Sequence, residues 1–352
     1  MKNINIIITL IIIPLSTISL SQEKLFIPRN IQSAYEKGTR SPDGKPGKEY
    51  WQNSADYKID VKVIPSTYEI IGNEKITYYN NSPDSLKRIL LRLYPNIFKK
   101  GSARDYSVNP DAIADGVSIN KIEIEGRSIN LENRSIFRVT STIAVIYLPE
   151  PIVPNSSIDL TIEWSFNLSP NATLRMGVYD STSVFVGYWY PQIAVYDDIE
   201  GWDYYNYGGQ AEFYNDFSNF DVSITLPNNF GVWATGELQN PEEVLSENIY
   251  ERYSTARESD EVIRIVTTSD LNLSTIYNND ASKNTWIYKA TNVSDFAFAF
   301  SDNYLWDGVR TIIDSSNNQS VFVQAVYPVD SPDFYDVAEA SKDLINYFSH
   351  EM

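Results

Sequence analysis

Apolar side chains return at every second position in segment after segment, and this alternation constrains the fold more than any other feature of the chain. Tyr57, Ile59, Val61 and Val63 alternate with charged residues, and a second run covers Glu74 to Tyr79 before a turn at NNSPD, residues 80–84. Ile89, Leu91 and Leu93 follow with Leu90 also apolar, which predicts a strand covered on both faces. Val117 to Ile124 runs into a Glu125-Gly126 turn, Ile143 to Leu148 is nearly all apolar, and Ile158, Leu160, Ile162 and Trp164 alternate again. Phe220, Val222, Ile224 and Leu226 repeat the pattern, and 262–266, 286–290 and 296–300 extend it. A period of two is the signature of half-buried strands. Few helical patterns of ten or more residues interrupt the series, so the expected bulk is a mostly antiparallel β domain with a sizeable core.

The densest aromatic region lies inside this series, from Gly187 to Pro227. It holds Tyr188, Trp189, Tyr190, Tyr196, Trp202, Tyr204, Tyr205, Tyr207, Phe213, Tyr214, Phe217 and Phe220, interrupted by Gly201, Gly208 and Gly209. Rings packed this closely suit a large irregular loop pinned against a sheet. Two readings stand side by side: a loop buried for stability, and a wall that faces a ligand.

The first residues, MKNINIIITLIIIPLSTISLS, carry one charge at Lys2 and an apolar run from Ile6 to Leu15, with small residues at Ser19 and Ser21. That layout predicts a signal peptide over 1–21. Its apolar core is shorter than the ~20 residues of a spanning helix, and no later stretch approaches that length, so no membrane span is expected after cleavage. The absence of cysteine excludes disulfides and a lipid anchor on a cleavage-site cysteine. Export without disulfides points to a bacterial periplasm or exterior. Residues 22–49, with SPDGKPGKE, show little periodicity and read as a leader or linker. The chain has 28 Lys and Arg against 46 Asp and Glu, a net charge of −18 with no basic cluster, which excludes nucleic acid as a partner. Toward the end, 309–313 and 321–326 read as strands. Ser331-Pro332 then predicts a helix with Ser as cap, and its apolar face carries Val337, Ala340, Ser341, Leu344, Ile345 and Phe348. The sequence stops at Met352 within that helix, which reads as a truncation inside a second domain.

Several phrases carry a family resemblance. YWYPQIAVYDD (188–198), EFYNDFSNFDVSITLP (212–227) and WATGELQNPEE (233–243) resemble the amino-terminal β domain of gluzincin aminopeptidases, the zinc enzymes that include aminopeptidase N and the leukotriene-hydrolase relatives. The wording is nearest to secreted bacterial members. YWQNSADYKIDVKV (50–63), YYNNSPDSLKRILLRLYPN (78–96) and DFAFAFSDNYLW (295–306) extend the match over roughly residues 50 to 352. The resemblance implies a mainly β fold: a large antiparallel sheet of saddle or sandwich-like form over 50–307. The truncated start of an α+β, thermolysin-like catalytic domain would then occupy 308–352. It implies a metalloaminopeptidase that takes residues from the amino termini of peptide substrates, with zinc as its cofactor.

The residues that would run this chemistry are not in the sequence. Gluzincins hold zinc with His-Glu-x-x-His on a helix, which places two imidazoles on one face and leaves a position for water. Here the one histidine, His350, is followed by Glu351 and has no second histidine to pair with, so it reads as a solvated helix residue. A Ser-His-Asp or Cys-His arrangement fails for the same reason. The family's β domain also lends a Gln or Glu to the substrate amine just upstream of 189–198. Here that segment, DSTSVFVG (180–187), has neither, and Gln192 is the nearest substitute by type. Asp197, Asp198, Glu200, Asp203 and Glu212 form an acidic group open to two readings, hard-cation binding and a solvated turn. No catalytic or metal-ligating residue is assigned in this chain, and no zinc is expected to bind to it. The competing class is a secreted β-rich module that grips glycans or a surface protein through stacked aromatic rings.

Overall fold

The computed structural model describes residues 26–172, 174–273 and 276–350, so the signal peptide expected over 1–21 lies outside the described residues. The chain divides into two compact units, one ending at Tyr50 and one beginning at Trp51. In the first, a helix that periodicity did not announce spans Arg29–Glu36, with Ala34 fully buried. A bridge between Arg40 and Pro46 closes the following turn, and the Arg40 guanidinium lies 5.0 Å over the Tyr50 ring.

The second unit is mainly β. Its largest sheet has eight strands in the order Glu237–Leu238, Lys283–Val293, Ser218–Pro227, Ser54–Ile64, Glu69–Asn80, Ser156–Asn167, Ser118–Ile124 and Arg127–Ser128. Every pairing is antiparallel except one, where Ser54–Ile64 runs parallel to Ser218–Pro227 with Tyr57 beside Phe220. The alternation read from the sequence sets which side faces inward: Tyr57, Ile59, Val61 and Val63 are buried, as are Phe220, Val222, Ile224 and Leu226. Glu125 and Gly126 both take positive φ, 48° and 72°, the two-residue turn whose twist matches a tight hairpin.

Two four-stranded sheets share a hydrophobic cluster with the inner face of this sheet. One orders Gln192–Ile193, Leu86–Arg92, Ile143–Ile152 and Phe137–Thr140. Ile89, Leu90 and Leu91 are wholly inaccessible, as a strand covered on both faces requires. The other orders Gly231–Ala234, Phe298–Ser301, Val184–Val186 and Met176–Val178. Two inward positions break the apolar rule. Gly72 faces Trp164 across the ladder, and a Cβ there would lie 2.2 Å from the indole, so the ring occupies the space a side chain would need. Glu74, next on the same face, is wholly buried, and neither carboxyl oxygen has a hydrogen-bond partner.

A three-stranded antiparallel sheet, Ile263–Val266, Tyr304–Asp314 and Gln319–Pro328, carries the helix Val337–His350. This end corrects the sequence expectation in two ways. Ser331 makes no capping bond; Pro332–Phe334 is a separate 3₁₀ turn, and the α-helix begins only at Val337. The packed face holds Ala338 and Ile345, whereas Leu344 and Phe348 are 58% and 62% exposed. Ala338 is fully buried against the sheet, and of the expected face only Val337 and Ile345 pack beside it. A second helix, Glu247–Glu258, was not anticipated either; only Ile249, Tyr253 and Ala256 mark its buried face.

Candidate binding cleft

The aromatic stretch divides into a core half and an open half. Trp189 and Tyr190 belong to the core: the Trp189 indole donates to the Phe296 carbonyl at 2.9 Å and stands edge-on to Phe298 at 5.1 Å. The Tyr190 hydroxyl donates to Asp295 at 3.0 Å, and Tyr57 accepts from the Ile193 N–H at 2.9 Å, tying this segment to the large sheet. After a short hairpin, Tyr196–Asp197 with Gly201–Trp202, the chain loses regular structure until Ser218. That irregular run lies close over residues 105–106. A Cβ on Gly208 would come within 2.2 Å of the Asp105 carboxylate, and Gly209, at φ +102°, approaches the Tyr106 ring as closely. Glycine alone allows both contacts.

The open half borders a cleft of about 310 Å³. Its aromatic lining includes Tyr94, Tyr207 and Phe213: Phe213 stacks on Tyr207 at 4.4 Å, Tyr94 meets Phe213 edge-on at 4.6 Å, and Tyr188, outside the lining, stacks on Phe213 with centroids 3.4 Å apart. Tyr188 holds φ +52°, a conformation costly for a bulky side chain and kept only where the surroundings impose it.

The acidic group gathers here only in part. Asp197, Glu200, Asp203 and Glu212 line the cleft, and Asp198 stands outside its lining. Their oxygens are largely engaged. Asp203 pairs with buried Arg92, which also donates to the Tyr205 carbonyl. Asp197 accepts from the N–H groups of Ile199 and Glu200 at 3.0 and 2.7 Å and from the Tyr214 hydroxyl at 3.0 Å. Glu212 takes both oxygens to Arg175, at 2.8 and 2.7 Å. Nearby, burial raises the carboxyl of Asp216 to about 6, against the Gln52 amide and with the Asp197 charge adding to it. Burial also raises Asp295 to about 6, against the Phe296 N–H and the Tyr190 hydroxyl. Desolvation pushes the Tyr207 hydroxyl up to about 12.

Gln192 does not reach the cleft lining. It is buried in its strand, donates to the Ser294 carbonyl at 3.3 Å and leaves its own carbonyl oxygen without a partner. His350 lies exposed on the last helix with Nε2 2.9 Å from the Ile312 carbonyl oxygen. Arg92, Arg175, Asp216 and Asp295 were not singled out from the sequence. Arg92 had a signal, as the one charge inside the apolar run 89–93.

These residues do not fit zinc. Zinc sites combine imidazole or thiolate donors with at most a minority of carboxylates, whereas the cleft offers no imidazole or thiolate, and its carboxylates are largely bonded to guanidinium, hydroxyl and backbone groups. Among the described residues no three His, Cys, Asp or Glu side chains converge to hold a metal ion.

No protein-family model and no curated protein matches the chain. Its structural neighbours are M1 zinc metallopeptidases. The enzyme from Deinococcus radiodurans is 13% identical with a TM-score of 0.47, covering 86% of this chain and 55% of its own. A variant of that enzyme bound to a Tyr-Ser-Ala substrate is 11% identical with a TM-score of 0.46, covering 87% and 56%. A two-domain M1 variant bound to L-arginine is 11% identical with a TM-score of 0.47. The chain thus spans little more than half the length of these neighbours, and at such identity nothing they bind or cleave transfers to it.

Proposed function

We propose that this chain is the non-catalytic β part of an exported zinc aminopeptidase of the gluzincin type, and that its cleft forms one wall of the site that receives peptide amino termini. One observation carries the reading. The two phrases with the strongest resemblance, 188–198 and 212–227, both contribute to this cleft, the first through Asp197 and the second through Glu212, Phe213 and Tyr214, and they are tied together by the Tyr214–Asp197 hydrogen bond and the Tyr188–Phe213 stack. In this reading the chain supplies shape and charge: aromatic rings to flank a side chain, and carboxylates held in place by Arg92 and Arg175. No reaction step is assigned to its own residues, and the proposed division at 307/308 falls within the strand Tyr304–Asp314.

The test has two parts. Purified residues 22–352 with added zinc should show no turnover of aminoacyl amides, and the coding DNA beyond codon 352 should encode His-Glu-x-x-His. Turnover by the purified chain, or a gene that stops at Met352, would remove the reading. A second reading, glycan binding, is favoured by Tyr205, which is 75% exposed, and by half-exposed Tyr214 and Phe217 on the same loop. A glycan array probed with the full chain separates the two.

A further inference from the structure

The outward face of the eight-stranded sheet treats its lysines in two ways. Lys289 lies 3.7 Å from Asp221 opposite it in the ladder, Lys75 3.6 Å from Asp159, and Lys121 2.9 Å from Glu123. Lys62 and Lys283 differ. Across the ladder Lys62 faces Ile71 on one side and Thr225 on the other, and Lys283 faces Pro227. Among the described residues neither ammonium has an acid within 4.0 Å, although the chain holds 46 acids. Both line one cavity of about 470 Å³. Its floor is apolar, with Pro65 and Phe230 buried, and its walls carry the hydroxyl side chains of Ser66, Ser181 and Thr182. Asp302 stands on the same wall and accepts from the Asn229 amide at 3.5 Å. Lys62 also lines an adjoining cavity of about 520 Å³, where Asn73, Asn120 and Ser223 stand with the carboxylates of Asp60 and Glu163.

We infer that this groove is a binding site for an oxyanion, independent of the aromatic cleft. A chain of net charge −18 repels anions at long range, so an oxyanion must be held by local groups. Two unpaired ammonium groups above an apolar floor, with hydroxyl donors beside them, provide that local field. Beyond Lys62 the acids Asp60 and Glu163 bound the favourable region, which is therefore confined to the cavity shared by the two lysines. The site therefore takes a single oxyanion at the two lysines, either a free ion or one acidic unit of a carboxylated polysaccharide.

Isothermal titration of the full chain at low ionic strength tests this with three probes: inorganic phosphate, polygalacturonate and neutral dextran. Lys62→Gln combined with Lys283→Gln should weaken binding of the charged probes by about tenfold or more. Lys58→Gln, an outward lysine outside this cavity, should change it by less than about twofold. Tighter binding of polygalacturonate per uronate unit than of phosphate assigns the polymer as the source; the reverse order assigns the free ion. Both variants are exposed substitutions, and unchanged melting curves verify their folding. Three results would each overturn the site: no binding of either charged probe below about 10 mM, binding that survives the double substitution, or dextran binding as tightly as polygalacturonate.

Discussion

Glu74 offers the sharpest physical test of the fold. Its side chain is wholly buried between Ile59 and Ile162 across the ladder, and both oxygens lack partners. Burial alone pushes the carboxyl well above its ordinary 4.5, so the folded protein favours the neutral form. The sign follows from linkage: stability is fully present below pH 4.5 and is lost as pH rises toward the folded pKa. Each pH unit in that window removes about 1.4 kcal/mol. Glu74→Gln keeps the shape and cannot titrate. Relative to wild type it should gain about 1.4 kcal/mol per unit above 4.5, or about 3.4 kcal/mol by pH 7 for a carboxyl still neutral there. Glu74→Leu also removes the unpartnered polar atoms and should add a further ~1–3 kcal/mol. Urea unfolding followed by tryptophan fluorescence from pH 4.5 to 7 measures both. Asp216 and Asp295 are present in every protein compared, so the difference isolates position 74. Parallel stability curves for wild type and Glu74→Gln, or a less stable Gln variant at pH 7, would refute the argument.

Arg92→Leu leaves Asp203 without its cation and should cost about 3 kcal/mol in urea unfolding, with part recovered in the Arg92→Leu, Asp203→Asn double variant. Gly72→Ala drives a methyl to within 2.2 Å of the Trp164 ring and should cost ~1–3 kcal/mol, with a change in tryptophan emission. Asp295, raised by burial to about 6 from 3.8, contributes stability that fades as pH rises through that interval. Asp295→Asn should flatten that part of the melting-temperature profile, and an unchanged slope would contradict the assigned environment.

What the sequence disclosed depended on whether the information was local. Residues 57–63 and 220–226 alternate because one face is buried, and their parity alone placed every one of those side chains correctly. The apolar run 89–93 signalled cover on both faces for the same reason. The terminal helix was visible by its period, but its contact face was not. Ala338 is buried because a sheet approaches it, and no property of alanine itself predicts that. The alternation starts a strand at Glu74, whereas that residue sits in the middle of Glu69–Asn80. Its parity pointed inward, against every expectation for a carboxylate. Five acids close in sequence were legible, four of which line the cleft, but their partners were not. Arg92 and Arg175 reach Asp203 and Glu212 only through the fold. The rings of 188–220 read alike in the sequence, yet Trp189 lies in the core and Tyr205 in water.

The one parallel pairing in the large sheet carries a consequence for biosynthesis. Its ladder joins Asp56 to Asn219, 163 residues further along. The strands over 54–167 can assemble among themselves as soon as they are made, but Ser54–Ile64 then waits with one row of backbone amides and carbonyls unclaimed. Bare strand borders of this kind recruit other chains, and contacts between distant residues close slowly. A product released before residue 218 should therefore accumulate as aggregate, while a chain extended past residue 293 seals that border from within.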